Sequence, residues 1–332
     1  MPSKIFAGTV AAAGTAAALA FAATALPAHA SDDADWQSVG KGKTSGVSGI
    51  AVTAHPGASD DDLDAVFVRD NKDAGQNRIS AVTYRQGKDP KVTALDWKGG
   101  ELPADLEALD GVPGEADGYV AVASSGTAYH VKVADGAATV LSSFELPDVG
   151  SDDSIEDFTL AAPPSAGAAG SPERTGGARA GEQKLAAVWA DRGDDDRSGT
   201  LHAAPVSFGR EGGARFGAVQ SAEVRAPYPK DDVRHASDAE LTDSGALLVT
   251  AAADPGDDGP FDSAVYTAAH VSLDGSGAVR LTTVKDPEAK RKFPGHKTEA
   301  LDCVPGSGRA VLGSDDENDG GSLTAAGGIC DE

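Results

Sequence analysis

The chain has 332 residues, with 52 Asp and Glu against 28 Lys and Arg, for a formal net charge of −24 at pH 7. Such a polyanion repels nucleic acid and anionic membranes, which excludes those partners, and it favours divalent cations wherever carboxylates cluster. Past the first thirty residues, no apolar run approaches the roughly 18 residues that a membrane helix needs.

The chain opens on "MPSKIF", with Lys4 as its one charge, and runs through an Ala-rich apolar stretch to Leu26. Ala28-His29-Ala30 then offers a small-residue cleavage site before the acidic "SDDADW". These features read residues 1–30 as a secretory signal, with a membrane anchor as the alternative. The expected product is an exported monomer, residues 31–332. Its two cysteines, Cys303 and Cys330, pair most simply as one disulfide, with buried free thiols as the other reading.

The predicted elements are nearly all strands. In chain order come "GIAV", "LDAVFV", "RISAVTY", "KVTALDW", "GYVAVAS", "AYHVKV", "KLAAVWA", "ALLVTAA", "AVYTAAHVSL" and "AVRLTTV". Each is short and apolar, often β-branched, and lies between clusters of Asp, Gly, Ser and Pro, the pattern of an all-β domain. "EALDGVPG" from Glu107 returns as "EALDCVPG" from Glu299, which marks an internal repeat. Related segments start at Gly49, Glu156 and Glu240, giving spacings of 58, 49, 84 and 59 residues. The long unit contains the Gly/Pro/Ala/Ser-rich segment 162–183, read as a flexible surface loop. Units of about 40–50 residues with four strands each are β-propeller blades. The expectation is a single β-propeller of five four-stranded blades, with six as the alternative. "DWQSVGKG" at Asp35–Gly42 is placed to close the last blade from the N-terminus, hiding its edge.

At Gly46, Ser48, Gly49, Ile50, Asp70 and Asp105-Leu106-Glu107, the chain resembles the secreted phytase-like propellers, also called "esterase-like activity of phytase". That family has an early G-x-S-G-I strand, a strand-end Asp and a D-L-E-G segment; here Ala108 replaces the last Gly. The resemblance covers the first hundred or so mature residues and implies a secreted propeller. Propeller phytases hold clustered calcium ions with carboxylates, and no full set of those ligands carries over.

The repeat itself places candidate chemistry. Glu107, Glu156, Glu240 and Glu299 start inner strands, and Asp70, Asp191, Asp254 and Asp315 end second strands, all expected on one face around the channel. Carboxylates so gathered repel unless compensated, and calcium, which takes six to eight oxygen ligands, is a natural compensator. The plainer reading has each acid bracing its own blade. "SDDENDGG" resembles the first half of an EF-hand loop but equally an acidic turn. Arg234, Lys292 and Lys297 are candidate substrate contacts, and His235 and His296 candidate acid–base groups. No G-x-S-x-G elbow, H-E-x-x-H, Walker A or C-x-x-C motif occurs. The expected function is a calcium-dependent hydrolase of a phosphoester or related ester. The alternative is a non-catalytic propeller that binds a small-molecule or cell-wall ligand.

Overall fold

The apolar runs pair into five antiparallel sheets in the computed structural model, which describes residues 35–53, 62–164, 184–209 and 213–331. The expected signal segment and most of the segment 162–183 lie outside the described residues. Blade 1 is built from Gly49–Thr53, Asp62–Val68, Ile79–Arg85 and Lys88–Ala94. Blade 2 runs Leu106–Gly111, Gly118–Ala123, Thr127–Ala134 and Ala137–Glu145, with Asp96–Lys98 added in parallel at its outer edge. Blade 3 comprises Ile155–Ala161, Leu185–Asp191 and Gly199–Phe208, whose outer side pairs with both Ala214–Phe216 and Gln220–Val224. Blade 4 repeats that plan with Val233–Leu241, Ala246–Ala253 and Asp262–Leu273, edged by Val279–Thr283 and Ala289–Pro294. Blade 5 holds Thr298–Cys303, Ala310–Asp315 and Gly321–Ala326. Its fourth strand is Gln37–Ser38 from the other end of the chain, so the five-blade, N-terminally closed propeller is the observed fold.

The burial pattern follows strand position. Second strands such as "GYVAVA", "LAAVWAD" and "ALLVTAAA" are buried at every residue, because neighbouring blades cover both their faces. The outer strand Lys88–Ala94 is mostly exposed and correspondingly polar. Each junction between blades has its own apolar core. Leu109, Tyr119 and Val66 fill the junction of blades 1 and 2; Phe158, Trp189 and Val122 that of 2 and 3; Leu201, Leu247 and Tyr266 that of 3 and 4. Leu248, Leu301 and Phe293 join 4 to 5, and Phe67, Val311 and Leu323 join 5 back to 1. Five junctions for five blades means that the ring is closed.

Polar bonds repeat around the same ring. The Leu160 amide donates to Asp110 Oδ2, the Leu241 amide to Thr159 Oγ1, the Leu301 amide to Asp238 Oδ2 and the Val52 amide to Asp302 Oδ2. Each bond runs from an inner strand to a side chain on the inner strand before it. Between blades 1 and 2 the backbones close directly: a Cβ at Gly49 would stand 2.6 Å from the Leu109 nitrogen. The recurrent Asp of "EALD" is therefore a strap between blades. Cys303, which ends the inner strand of blade 5, is disulfide-bonded to Cys330, fixing the end of the chain to that blade.

Candidate active site

Three of the four anchor glutamates share one structural position. Register breaks fall between Leu106 and Ala108, Ile155 and Asp157, and Thr298 and Ala300, leaving Glu107, Glu156 and Glu299 as bulge residues. A bulge re-aims its extra side chain, and these three converge at one mouth of the channel. Glu240 is not the fourth. The register break of blade 4 is longer, from Arg234 to Asp238, so Glu240 pairs with Leu248 as Asp110 pairs with Val120. It lies at the opposite mouth, where it lines a cavity of about 540 Å³ with Asp110 and Asp302. In blade 4 the break leaves His235, Ala236 and Ser237 unpaired in the register, whereas the pairing of blade 1 shows no break and Ser48, just before its inner strand, bonds the Val68 carbonyl through its amide.

The acids at the first mouth already have cations. Arg234 Nη1 lies 3.0 Å from Glu299 and 3.4 Å from Glu156, and its Nη2 bonds Asp254. Lys297, only 2% exposed, is 3.2 Å from Glu299 and 2.6 Å from Glu317. Burial opposes both charges, but the surrounding carboxylates outweigh it and raise both pKa values. Burial pushes Glu299 to about 8 against the pull of Lys297 and Arg234, and Asp315 to about 7. Arg192 adds a bond to Glu156 at 3.1 Å.

Glu107 differs. Its partner is another carboxyl, Asp105, with which it shares a hydrogen bond. Burial, with Glu156, Asp105 and Glu299 nearby, raises Glu107 well above the usual range. Burial pushes Asp105 upward too, but hydrogen bonds from Glu107, Ser124 and Lys72 outweigh that and hold it below its ordinary value. Ser124 Oγ donates to Asp105 Oδ2 at 2.6 Å, and Lys72 Nζ lies 3.0 Å from Oδ1. Asp105 holds the turn into blade 2 at φ +63°, in the left-handed region that Asp tolerates better than most residues. Their environments thus favour a proton on Glu107 over one on Asp105.

The other sequence candidates fall into three groups. Asp70 and Asp315 flank the same mouth, with Asp70 raised by burial and by Asp105. Gly46 makes room there, since a Cβ on it would overlap the Asp315 carboxyl. Asp191 braces its own blade, accepting from the Ser154 amide at 3.0 Å and pairing with Arg197. His235 does not sit as a catalytic base: its Nε2 bonds the Asp195 carbonyl, the Ala226 amide donates to its Nδ1, and burial lowers its pKa. His296 contacts Asp316 at 2.7 Å and stacks on Trp36, while Lys292 lies over Tyr228 on the outer edge of blade 4, away from the inner strands. "SDDENDGG" folds as an acidic turn: a short 3-10 segment, Glu317–Asp319, in which the Glu317 amide bonds Asp315.

The donors fit a calcium ion poorly. Glu156, Glu299 and Asp254 surround Arg234, Asp191 faces Arg197, and Glu240 is at the far mouth. Among the described residues no three His, Cys, Asp or Glu side chains form a metal-holding group. Asp105 and Lys72 are members of this mouth that were not among the sequence candidates for its chemistry.

No protein-family model matches the chain, and no curated protein sequence matches it. Among solved structures it is similar to a candidate 6-phosphogluconolactonase from Bacteroides uniformis, at 12% identity over 72% of this chain and 54% of that one, with a TM-score of 0.35. It is also similar to a GH43 β-1,3-galactosidase, at 9% identity over 87% of this chain and 94% of that one, with a TM-score of 0.43. For Sqt1 of Saccharomyces cerevisiae the identity is 12% over 84% and 72%, with a TM-score of 0.33. The chain spans about half the length of the first of these. Likeness at this distance adds nothing about chemistry, and the propeller rests on the chain's own sheets.

Proposed function

We propose that the chain is an ester hydrolase whose working groups are Glu107 and Asp105. The observation that carries this reading is the pairing of two neighbouring carboxyls in opposite surroundings, Glu107 buried and pushed up, Asp105 held down by Ser124 and Lys72. Environments that push two carboxyls apart assign an acid and a base. Asp105 accepts a proton from an attacking water; Glu107 protonates the oxygen leaving with the alcohol. The carboxylic acid and the alcohol are the products, and the proton returns from Asp105 to Glu107 across their shared hydrogen bond. The bond spacing favours a carbonyl ester over a glycoside. Glycosidase carboxyls stand roughly 5–9.5 Å apart to flank a sugar, whereas a hydrogen-bonded dyad activates one water at one carbon.

The calcium-dependent phosphoester hydrolase implied by the phytase-like resemblance is the narrower form of this proposal. It requires an ion at Glu107, Asp70 and Asp315, beside a buried Lys297. A non-catalytic binding propeller is the competing reading, supported by the internal neutralisation of Glu156 and Glu299. One set of assays separates the three. Hydrolysis of p-nitrophenyl acetate that falls about a hundredfold or more in Glu107→Gln and Asp105→Asn supports the dyad. Calcium-dependent melting with turnover of p-nitrophenyl phosphate or phytate supports the phosphoester form, and no turnover of any ester leaves the binding propeller.

A further inference from the structure

The ring of blades is closed by very little backbone. The fourth strand of blade 5, Gln37–Ser38, is two residues long, where the outer strand of blade 1, Lys88–Ala94, has seven. Gln37 pairs with Leu323 and Ser38 with Ser322, and the Val39 amide donates to the Gly321 carbonyl at 2.9 Å. A segment held by so few backbone bonds opens locally unless side chains anchor it. Trp36, the residue before the strand, is such an anchor. It packs against the core between blades 4 and 5, edge-on to Phe293 with ring centroids 5.8 Å apart. Its stacking partner is a histidine: the His296 ring lies 4.3 Å from the indole between centroids, at 25° between planes.

Blade 5 fixes His296 in turn. Its Nδ1 contacts Asp316 Oδ2 at 2.7 Å, and Asp316 also accepts from the Lys297 amide at 2.7 Å and from Ser314 Oγ at 2.8 Å. A carboxylate only accepts, so Nδ1 carries the hydrogen of that contact and Nε2 is the nitrogen that takes up a second proton. The His296 side chain is 24% exposed, so the proton comes from solvent and breaks none of these contacts. The charge it brings lies between a carboxylate and the face of an indole, and both attract a cation. The other charged groups around the stack are Asp35, exposed beside Trp36, Arg291, 5.8 Å from the Phe293 ring on the blade 4 side, and Lys297, whose Nζ turns to Glu317 and Glu299. Histidine is the side chain that ordinarily changes charge between about pH 5 and 8. We propose that Trp36, His296 and Asp316 form a pH-sensitive clasp, which tightens the N-terminal closure of the propeller in acid and loosens it as the pH rises.

The test is local, because buried carboxyls elsewhere give the whole fold a pH dependence of its own. Backbone hydrogen exchange of residues 36–40, corrected for the intrinsic effect of pH, is measured at about pH 5.5 and about pH 7.5. The buried strand Gly118–Ala123 of blade 2 is the reference for global unfolding in each protein. The expected wild-type result is about fivefold more protection of residues 36–40 at the lower pH, over and above any change in the reference strand, the worth of one cation–π contact. His296→Gln keeps a polar side chain that cannot take up a proton, and should abolish that excess. Trp36→Leu keeps an apolar anchor without a ring face and should abolish it too, so the test stands if one of the two variants fails to fold. Equal protection of wild-type residues 36–40 at both pH values, or an excess that persists in either folded variant, overturns the clasp.

Discussion

Arg234→Met isolates the electrostatics of the mouth. The arginine side chain is 17% exposed and bridges Glu156, Glu299 and Asp254, of which the two glutamates are almost wholly buried. Methionine keeps much of the volume and removes the charge. Breaking a buried pair by removing one partner costs about 3–5 kcal/mol, because it strands a charge in a poorly solvated site. Lys297 still faces Glu299 and Arg192 still faces Glu156, so the lower end, about 3 kcal/mol, applies here. That corresponds to a fall in melting temperature of roughly 6 °C for a domain of this size. The loss must depend on pH. Without the arginine the folded-state pKa of Glu299, already about 8, rises further, so its protonated form is the favoured one. Stability from a raised carboxyl is present below the unfolded value and is lost as pH rises through the folded value. Calorimetric melts of wild type and variant at about pH 5 and about pH 8 should therefore show most of the deficit at the higher pH. An equal deficit at both, or less than about 1 kcal/mol at the higher pH, refutes the buried-charge account.

The same linkage applies to the wild type: Asp110 and Asp315 near 7, with Asp157 and Glu299 near 8, make the fold more stable at about pH 5 than at about pH 8, and a melting temperature that rises with pH contradicts this. Asp302→Ala strips the Val52 amide of its acceptor and should cost about 1–3 kcal/mol in urea unfolding, with Asp302→Asn milder because it keeps an acceptor oxygen. Gly46→Ala pushes against the Asp315 carboxyl, so it should lower the melting temperature, and more so than Gly275→Ala, whose Cβ would meet nothing. Reduction of Cys303–Cys330 opens a loop of 27 residues and should cost about 3 kcal/mol in the chain-entropy account, read as a shift in the urea midpoint.

The blade count, the closing strand and the disulfide were legible because each leaves a local mark: a recurrent octapeptide, an unassigned segment, Asp35–Gly42, before the first blade, and two cysteines near one end. The mouth was only partly legible. Three glutamates were located by the repeat, but Glu240 was misplaced because the register break of blade 4 runs from Arg234 to Asp238, where the others skip one residue. A bulge length is set by hydrogen bonding between strands and leaves no periodicity in one strand alone. The histidines drew attention by type, yet His235 satisfies both ring nitrogens on backbone groups that only the fold brings near. Asp105 stood in plain view in "DLEALD", but its opposition to Glu107 arises from Lys72 and Ser124, one from the turn after a blade 1 strand and one from blade 2.

The repeated "EALD" therefore carries two separate functions in four residues. Its Asp straps one blade to the next through a backbone amide, at Leu160 for Asp110 and at Val52 for Asp302. That role recurs in blade 3 with Thr159, so it asks only for an acceptor and tolerates substitution by type. Its Glu is the bulge residue, and there the copies diverge in partner. Glu299 is neutralised by Lys297 two positions before it, a residue with no counterpart in blade 2, where Asp105 stands instead. Exchanging that one position should exchange the chemistry: Asp105→Lys places a cation beside Glu107, lowers its pKa and ends proton donation. Such a variant should fold, melt somewhat below wild type because lysine strains the φ +63° turn and loses the Lys72 pairing, and hydrolyse p-nitrophenyl acetate at a background rate. If it stays active, Glu107 is not the acid.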